Sequence, residues 1–235
     1  KFKPEESQII LLAGSENGST LRFADAIHQQ LLASGHASYL AQPNDYKTYT
    51  KAEHIILFTS THGLGDAPSN AKKLLTLIKK LPQQQNTKTS VVGFGSKAYP
   101  DFCGFAKKAE NALLKQEWAN QLLPLHTVND KSATEFTTWV KAWAEATDIP
   151  LATTPALYNQ KPKGLKNFKV TGKVTDGEHT FVLTLKVPAF AKFSSGDLLA
   201  IYPNNDSSER LYSIGKIDGE IQLVVKLHEH GLGSN

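Results

Sequence analysis

A turn rich in small and hydroxyl residues follows the first apolar segment of the chain. It reads Gly14-Ser15-Glu16-Asn17-Gly18-Ser19-Thr20 and comes directly before a helical pattern. Backbone N–H groups at a helix N-terminus, together with hydroxyls, form a cradle for a phosphate group. The turn lacks the Gly-Lys-Ser/Thr ending of a P-loop, which argues against a nucleotide hydrolase. Helix capping alone also accounts for Ser and Asn here, so this turn by itself leaves both interpretations open.

Two further turns combine glycines with ring-bearing side chains. One spans residues 59–68 and carries His62, and the other spans residues 93–102 and carries Tyr99. A flat isoalloxazine ring needs apolar or aromatic surfaces on both faces, and glycines let the backbone reach the ring edge. A Gly-x-Gly-x-x-Ala pattern in the third turn follows the fourth apolar segment, so it is a weak dinucleotide fingerprint. A turn histidine and a surface tyrosine are the alternatives for these residues taken singly, but the three turns together predict a flavin site.

Alternating apolar and helical segments must position these turns. Strands are predicted at residues 8–13, 36–41, 54–60, 89–95 and 122–128, and helices at residues 20–34, 69–81, 102–117 and 132–146. Such alternation predicts a parallel sheet covered on both faces, and five units are typical of the flavodoxin-like doubly wound α/β sheet. Ligands of this architecture bind beyond the carboxyl ends of the strands, where all three turns fall.

The pattern changes after residue 148. Residues 149–164 contain three prolines and little periodicity, which predicts a linker between a domain at residues 1–148 and a second domain at residues 165–235. Strands are predicted in the second domain at residues 166–175, 179–187, 197–202 and 220–227. Asp176-Gly177 indicates a hairpin turn between the first two. We therefore expect an antiparallel, barrel-like second domain.

The three turns resemble the FMN site of flavodoxins and of the diflavin reductases, the family of cytochrome P450 reductase and the sulfite reductase flavoprotein. The resemblance implies that the first turn holds the FMN phosphate and that the other two cover the ring faces. The FMN-binding residues it implies are Ser15, Glu16, Asn17, Gly18, Ser19, Thr20, Thr61, His62, Gly63, Gly65, Phe94, Gly95, Ser96, Tyr99, Asp101, Phe102, Cys103 and Asn129. The family usually has tyrosine at the place of His62, so altered flavin affinity and potential are expected.

The segment Arg210-Leu211-Tyr212-Ser213 resembles the Arg-x-Tyr-Ser motif of the ferredoxin-NADP reductase-like FAD domain. Arginine pairs well with a pyrophosphate, tyrosine can stack on a flavin, and serine can hydrogen-bond near flavin N5. The resemblance implies FAD binding by Arg210, Tyr212 and Ser213, with Ser213 as the candidate catalytic residue. Further FAD-binding residues are implied in a pyrophosphate turn at Gly231, Gly233 and Ser234. A solvated strand arginine is the alternative for Arg210 alone.

The resemblance implies an NADPH-dependent diflavin oxidoreductase. In this family hydride passes from NADPH to FAD, and electrons then pass through FMN to an acceptor. The expected partner is a redox acceptor protein with a haem or iron centre, although the sequence leaves a haem protein, sulfite reductase, a ferric siderophore and a small quinone open as acceptors. The chain is expected to be a fragment, because it begins at Lys1 and ends soon after Ser234, where an NADPH-binding unit should follow. A non-catalytic FMN carrier with a vestigial FAD half is the alternative, and a regulatory domain without cofactor is a third.

Composition excludes several other classes. The net charge of +4 comes without a dense basic patch interleaved with aromatics, so no nucleic-acid partner is expected. The single cysteine, Cys103, excludes an internal disulfide and fits a reducing compartment, so we expect a cytoplasmic location. No apolar run reaches the roughly 20 residues of a membrane span.

The arrangement also resembles bacterial reductases fused behind a membrane-embedded PepSY region. In such a protein, residues 1–6 would continue an upstream anchor on the cytoplasmic face.

Overall fold

The computed structural model describes residues 2–83, 86–159, 165–188, 191–202 and 210–227. The chain divides into two compact units, Lys1–Tyr158 and Asn159–Asn235. None of the helices in the described part has the length and apolar character needed to cross a bilayer.

The first unit is built on a parallel β-sheet with helices on both faces. Its strands are β1 (Ile9–Gly14), β2 (Ser38–Ala41), β3 (His54–Ser60), β4 (Thr87–Gly95), β5 (Ala119–Gln121) and β6 (His126–Asn129). Its helices are α1 (Ser19–Ala33), α2 (Leu74–Lys80), α3 (Gly104–Leu114) and α4 (Ala133–Thr147). The strand order is β2-β1-β3-β4, and β5 and β6 both pair with β4. All pairings are parallel, which confirms the predicted flavodoxin-like sheet.

The fifth strand position differs from the sequence-based prediction. A single strand was expected at residues 122–128, but β5 pairs with the start of β4 and β6 pairs with its end. Pro124 lies between them and has no N–H group, so it cannot continue a ladder. The Glu110 carboxylate accepts hydrogen bonds from Leu125 N at 2.6 Å and from Gln121 Nε2 at 2.7 Å. A carboxylate of α3 therefore stabilises the chain where the strand is interrupted.

Apolar side chains at helical spacing bury one face of each long helix. In α4 the buried residues Phe136, Trp139, Val140 and Trp143 follow this spacing, and the Ser132 side chain caps the helix by accepting from Glu135 N at 3.2 Å. Helices α1 and α4 cover one face of the sheet, and α2 and α3 cover the other. Buried residues fill β1 along its whole length, as expected for a strand with helices on both sides.

The beginning of the predicted linker packs on the first unit. Tyr158 is buried in the same cluster as Phe136, with ring centroids 4.9 Å apart. Gln30 of α1 donates from Nε2 to the Tyr158 hydroxyl at 3.0 Å and accepts from Ala152 N at 2.7 Å. Residues 149–158 are therefore packed against the first unit, where apolar contacts and the Gln30 amide hold them.

Close approach of α3 to the sheet requires a glycine in β4. A Cβ atom on Gly93 would lie 2.6 Å from the Ala106 Cβ and 3.2 Å from the Cys103 Cβ. We expect Gly93→Ala to lower the free energy of unfolding of the first unit by roughly 2 kcal/mol, because a methyl group cannot enter this contact without moving α3. Urea denaturation followed by tryptophan fluorescence measures this, since Trp118, Trp139 and Trp143 all lie in the first unit.

Ala106→Gly supplies the matched control for Gly93→Ala. Alone it should cost about 1 kcal/mol through helix propensity. Combined with Gly93→Ala it makes room for the new methyl group, so the double variant should be more stable than the sum of the two losses predicts. Simple additivity, or a Gly93→Ala variant as stable as the parent, would contradict this packing.

The second unit consists of antiparallel strands. These are β7 (Lys169–Thr175), β8 (Thr180–Lys186), β9 (Leu198–Ile201), β10 (Arg210–Ser213), β11 (Gly215–Ile217) and β12 (Glu220–Lys226). One sheet has the order β11-β12-β8-β7, and β9 pairs with β10 in another. Their antiparallel pairing confirms the predicted antiparallel strands of the second domain, although β10 and β11 lie outside the predicted strand ranges. Gly177, with a φ of 85°, lies in the turn between β7 and β8, as predicted.

Candidate functional site

The three predicted turns leave the sheet from neighbouring strands at the same edge. In the register of the sheet, Gly14 at the end of β1 lies beside Thr59 of β3, and Ser60 lies beside Phe94 of β4. Thr61 N donates to Phe94 O at 3.1 Å, which joins the second and third turns directly. The parallel sheet therefore brings together segments that are about 45 and 35 residues apart in sequence.

The first turn carries two buried hydroxyls that have no hydrogen-bond partner among the described residues. Ser15 is 8% exposed and Thr20 is 1% exposed, and in this part of the chain neither Ser15 Oγ nor Thr20 Oγ1 is paired. Gly18 has a left-handed φ of 82° and directly precedes α1, so Thr20 lies in the first turn of this helix. Buried hydroxyls normally find a partner. Two buried hydroxyls without a partner, next to the positive end of a helix, are suited to donate hydrogen bonds to the oxygens of a bound phosphate.

Other groups of the first turn are already paired. The Ser19 hydroxyl donates to Asn17 Oδ1 at 3.0 Å. The Glu16 carboxylate accepts from Ser69 N at 2.7 Å, and a carboxylate has no proton to donate to a phosphate. Ser15 N donates to Asn70 Oδ1 at 2.9 Å, so this backbone N–H is already engaged within the protein. Sequence reasoning missed Asn70 because no local motif connects it with Ser15.

The second turn is a tight loop that rests on the beginning of α3. His62 and Asp66 exchange backbone hydrogen bonds of 2.9 and 2.8 Å, and the turn between them is closed by Gly63 and Gly65, with φ of 52° and 85°. A Cβ on Gly104 would lie 3.0 Å from the Gly65 Cα. Lys108 donates from Nζ to Gly65 O at 3.1 Å. Glycine at position 65 suits the left-handed backbone, and glycine at position 104 allows the two segments to approach this closely.

A cleft of about 340 Å³ lies between the second and third turns. It is lined by Thr61, His62, Gly63, Gly95, Ser96, Tyr99, Asp101, Phe102 and Cys103. All nine belong to the set expected from the sequence, and this volume is typical of small-molecule sites. Tyr99 is 63% exposed, so its ring is available to a ligand rather than used in the core. The cleft thus combines His62 and Tyr99, the two rings expected to cover a flat ligand.

Two of the expected residues serve the site indirectly. The Phe94 side chain is buried against Phe23, with ring centroids 5.0 Å apart, and does not line the cleft. Asn129 accepts from Lys97 N at 2.8 Å through Oδ1 and thereby fixes the third turn. Asp130 N adds a hydrogen bond of 2.8 Å to Gly95 O. The end of β6 therefore supports the third turn from the neighbouring strand position.

Cys103 adjoins the cleft but is fully buried, in a left-handed conformation with φ of 53° just before α3. Burial raises the pKa of its thiol to about 11. We expect iodoacetamide at pH 8.5 to label the native protein about 100-fold more slowly than the urea-unfolded protein, because the ordinary thiol pKa is about 8.5. The chain has one cysteine, so mass spectrometry of the labelled protein reports on this residue alone.

The same pKa difference has a defined sign for stability. The folded state holds the Cys103 proton more tightly than the unfolded state, so ionisation favours unfolding. The contribution of the protonated Cys103 thiol to the free energy of unfolding is therefore fully present below about pH 8.5, and it is lost as the pH rises towards 11. Equal labelling rates in native and unfolded protein would contradict the burial of this thiol.

The expected residues of the second unit lie on β10. Arg210 pairs with Ile201, Tyr212 with Leu199 and Ser213 with Leu198 of β9. Successive side chains of a strand point to opposite faces, so Arg210 and Tyr212 share one face while Ser213 lies on the other. Tyr212 is partly buried against the small core of this unit.

Another cleft, of about 720 Å³, adjoins β8 and β9. Gly231, Gly233 and Ser234 lie outside the described residues. Among the residues that the structure does describe, no group of three or more His, Cys, Asp or Glu side chains could hold a metal ion.

Comparison with solved structures supports the fold of the first unit. Flavodoxin 1 from Bacillus cereus superposes with a TM-score of 0.51 at 19% identity, covering 62% of this chain and all of that protein. A mutant of flavodoxin from Pseudomonas aeruginosa has a TM-score of 0.50 at 22% identity, covering 60% of this chain and 98% of that protein. Likeness at such identities concerns the fold.

Sequence comparison extends across both units. Residues 11–143 match the family model named Flavodoxin. The sulfite reductase (NADPH) flavoprotein alpha-component of Photobacterium profundum is 27% identical over 253 aligned residues, covering 94% of this chain and 42% of that protein. Its counterpart in Vibrio vulnificus is 35% identical over 117 residues, covering 48% of this chain and 19% of that protein. This chain thus spans about two fifths, or less, of the length of these relatives. The chain belongs to the flavodoxin family, and the alignments that continue through its second unit place it among the diflavin reductases.

Proposed function

We propose that the first unit binds FMN and that the chain belongs to an NADPH-dependent diflavin oxidoreductase. The observation that carries this proposal is the pair of buried hydroxyls, Ser15 and Thr20, that lack a partner in the described chain at the positive end of α1. The cleft with His62 and Tyr99 opens at the same edge of the sheet, as a phosphorylated flat ring requires. The match of residues 11–143 to the flavodoxin family supports the same ligand.

Each part of the site has a definite task in this proposal. The hydroxyls of Ser15 and Thr20 donate to the phosphate, and the N–H groups at the start of α1 add their partial positive charge. His62 and Tyr99 cover the ring and exclude water, while Gly63, Gly65 and Gly95 let the backbone approach the ring edge. Bound FMN supplies one-electron chemistry between a hydride donor and a one-electron acceptor. No acid or base of the chain is needed for that step.

The second unit is proposed to be the beginning of an FAD-binding domain. Arg210 would pair with the FAD pyrophosphate and Tyr212, on the same face of β10, with the ring. Ser213, at the end of β10 and on its other face, is the candidate for a hydrogen bond near N5. The relatives carry NADPH in their name, which supports NADPH as the electron donor. In this assignment residues 1–148 form the FMN-binding domain, residues 149–164 a linker whose first part, up to Tyr158, packs on that domain, and residues 165–235 the start of the FAD-binding domain.

The acceptor in this proposal is a protein with a haem or iron centre. The name of the relatives, sulfite reductase flavoprotein alpha-component, supports an acceptor from sulfite reduction. We place the chain in the cytoplasm, and an anchor upstream on the cytoplasmic face of a membrane is the more specific alternative. A non-catalytic FMN carrier with a vestigial FAD half is the second candidate function.

Flavin content tests these proposals directly. The chain is purified, reconstituted with an equimolar mixture of FMN and FAD, freed of unbound flavin and then heated to release what it holds. About one FMN per chain is expected, with FAD in addition if the second unit is functional. FMN alone favours the carrier, and a protein that stays colourless after reconstitution contradicts FMN binding altogether.

A further inference from the structure

Asn70 connects the phosphate cradle to a segment more than 50 residues away in sequence. It lies in the short 3₁₀ turn Ser69–Ala71 between β3 and α2. Its Oδ1 accepts from Ser15 N at 2.9 Å, and its Nδ2 donates to Ala13 O at 3.0 Å. These two bonds bracket Gly14, the last residue of β1. A residue of a parallel neighbouring strand makes the same pair of bonds, so the Asn70 amide extends the pairing of β1 beyond the strand itself.

The turn that carries Asn70 is packed tightly against the cradle. A Cβ on Gly14 would lie 3.3 Å from the Cβ of Ala71, a residue that is fully buried. Ser69 N donates to the Glu16 carboxylate at 2.7 Å. Residues 69 and 70 therefore make three hydrogen bonds to residues 13–16. These bonds fix the backbone that carries the Ser15 hydroxyl.

A second asparagine, Asn44, supports this turn through other hydrogen bonds. Asn44 Nδ2 donates to Ser69 O at 3.0 Å, and Asn44 Oδ1 accepts from Lys73 N at 2.8 Å. Neither of these two Asn44 hydrogen bonds reaches a residue of the cradle. The two asparagines thus make different contacts: Asn44 joins Ser69 to the residue before α2, whereas Asn70 alone joins its side chain to residues 13 and 15.

We propose that Asn70 is a positioning residue of the phosphate cradle. Its amide orients the Ser15 backbone, so that the Ser15 hydroxyl and the N-terminus of α1 are already directed at the same phosphate position before the ligand binds. Such preorganisation raises affinity because less chain has to be ordered on binding. This inference rests on the proposed FMN binding and assigns a residue that touches the cradle rather than the ligand.

Comparing FMN with riboflavin tests the inference, since riboflavin has the ring but no phosphate. Asn70→Ala in the full chain is expected to weaken FMN binding at least tenfold while riboflavin affinity changes less than about threefold. Flavin-fluorescence titration measures both. Asn44→Ala is the matched control, and it should lower stability in urea yet leave FMN affinity within about threefold of the parent.

Asn70→Asp provides a second variant that keeps the shape of the side chain. It retains an acceptor for Ser15 N but loses the donor to Ala13 O and adds a negative charge near the phosphate. The FMN phosphate loses one of its two negative charges as the pH falls through about 6, so its repulsion from the new carboxylate weakens. FMN affinity relative to the parent should therefore recover in part as the pH falls towards 5, while relative riboflavin affinity stays constant. This variant keeps the test informative if Asn70→Ala does not fold.

The outcomes separate this inference from the proposed function. A parent protein that binds neither flavin would overturn FMN binding itself and the inference with it. A parent that binds FMN, with Asn70→Ala binding it equally well, would overturn the positioning role alone. Parallel loss of FMN and riboflavin with reduced stability would show a purely structural role and would also overturn it.

Discussion

Removing the Ser15 and Thr20 hydroxyls together is expected to weaken FMN binding by about 100-fold or more. A hydrogen bond to a charged group contributes about 1.5–3 kcal/mol, so two such bonds account for at least this change. The variant Ser15→Ala with Thr20→Val keeps the shape of both side chains. Titration with FMN and riboflavin separates the phosphate from the ring, and riboflavin affinity should change little.

The stability of the flavin-free protein provides the control for this double variant. Neither hydroxyl has a partner among the residues that the structure describes, although both are buried. A buried unpaired polar group costs about 1–3 kcal/mol, so the substituted protein should be at least as stable as the parent. A variant that is less stable, or that binds FMN as tightly as the parent, would show that these hydroxyls serve the fold rather than a phosphate.

Phe136→Ala is expected to destabilise the first unit by about 3–5 kcal/mol, the usual cost of removing a buried ring. Phe136 is fully buried in α4, packed against the sheet and against Tyr158 of the segment that follows α4. Five aromatic rings surround it in the described part of the chain, with centroids between 4.8 and 6.1 Å away: Phe23, Phe58, Phe94, Trp139 and Tyr158. Urea denaturation followed by tryptophan fluorescence measures the loss.

Phe136→Leu is the conservative control for this cavity. It keeps most of the side-chain volume and should cost less than about 1.5 kcal/mol. Phe136 does not line the cleft, so flavin affinity measured well below the unfolding transition should stay close to that of the parent in both variants. A loss below about 1 kcal/mol in Phe136→Ala would mean that the cluster rearranges to fill the space.

Periodicity was sufficient to predict the architecture of the first unit. The buried segment of β3 was predicted at its observed bounds, because seven largely apolar residues are enclosed by turn-forming sequence. The predicted helix at residues 69–81 instead divides into a 3₁₀ turn and α2. Residues 69 and 70 are engaged with the cradle, so tertiary hydrogen bonds override the helical pattern at its beginning.

The inward or outward direction of a side chain was harder to predict within this sheet. Phe94 was expected in the flavin site from its place in the third turn, yet its ring belongs to the aromatic core around Phe136. Both faces of β4 are covered by helices, so alternation of apolar and polar residues carries no signal there. Tyr99, five residues further on, lies outside the strand and lines the cleft as expected.

The amino-acid sequence by itself determined the parallel sheet, the three turns at its edge and the residue types of a flavin site, because these depend on local spacing and on the known placement of ligands in such sheets. Only the tertiary structure decided which groups of the cradle are free. It paired Ser15 N with Asn70, engaged Glu16 with Ser69 and left two hydroxyls without a partner in the described chain. These pairings join residues more than 50 positions apart, and hydrogen bonds over such separations exist only once the fold has brought their partners together.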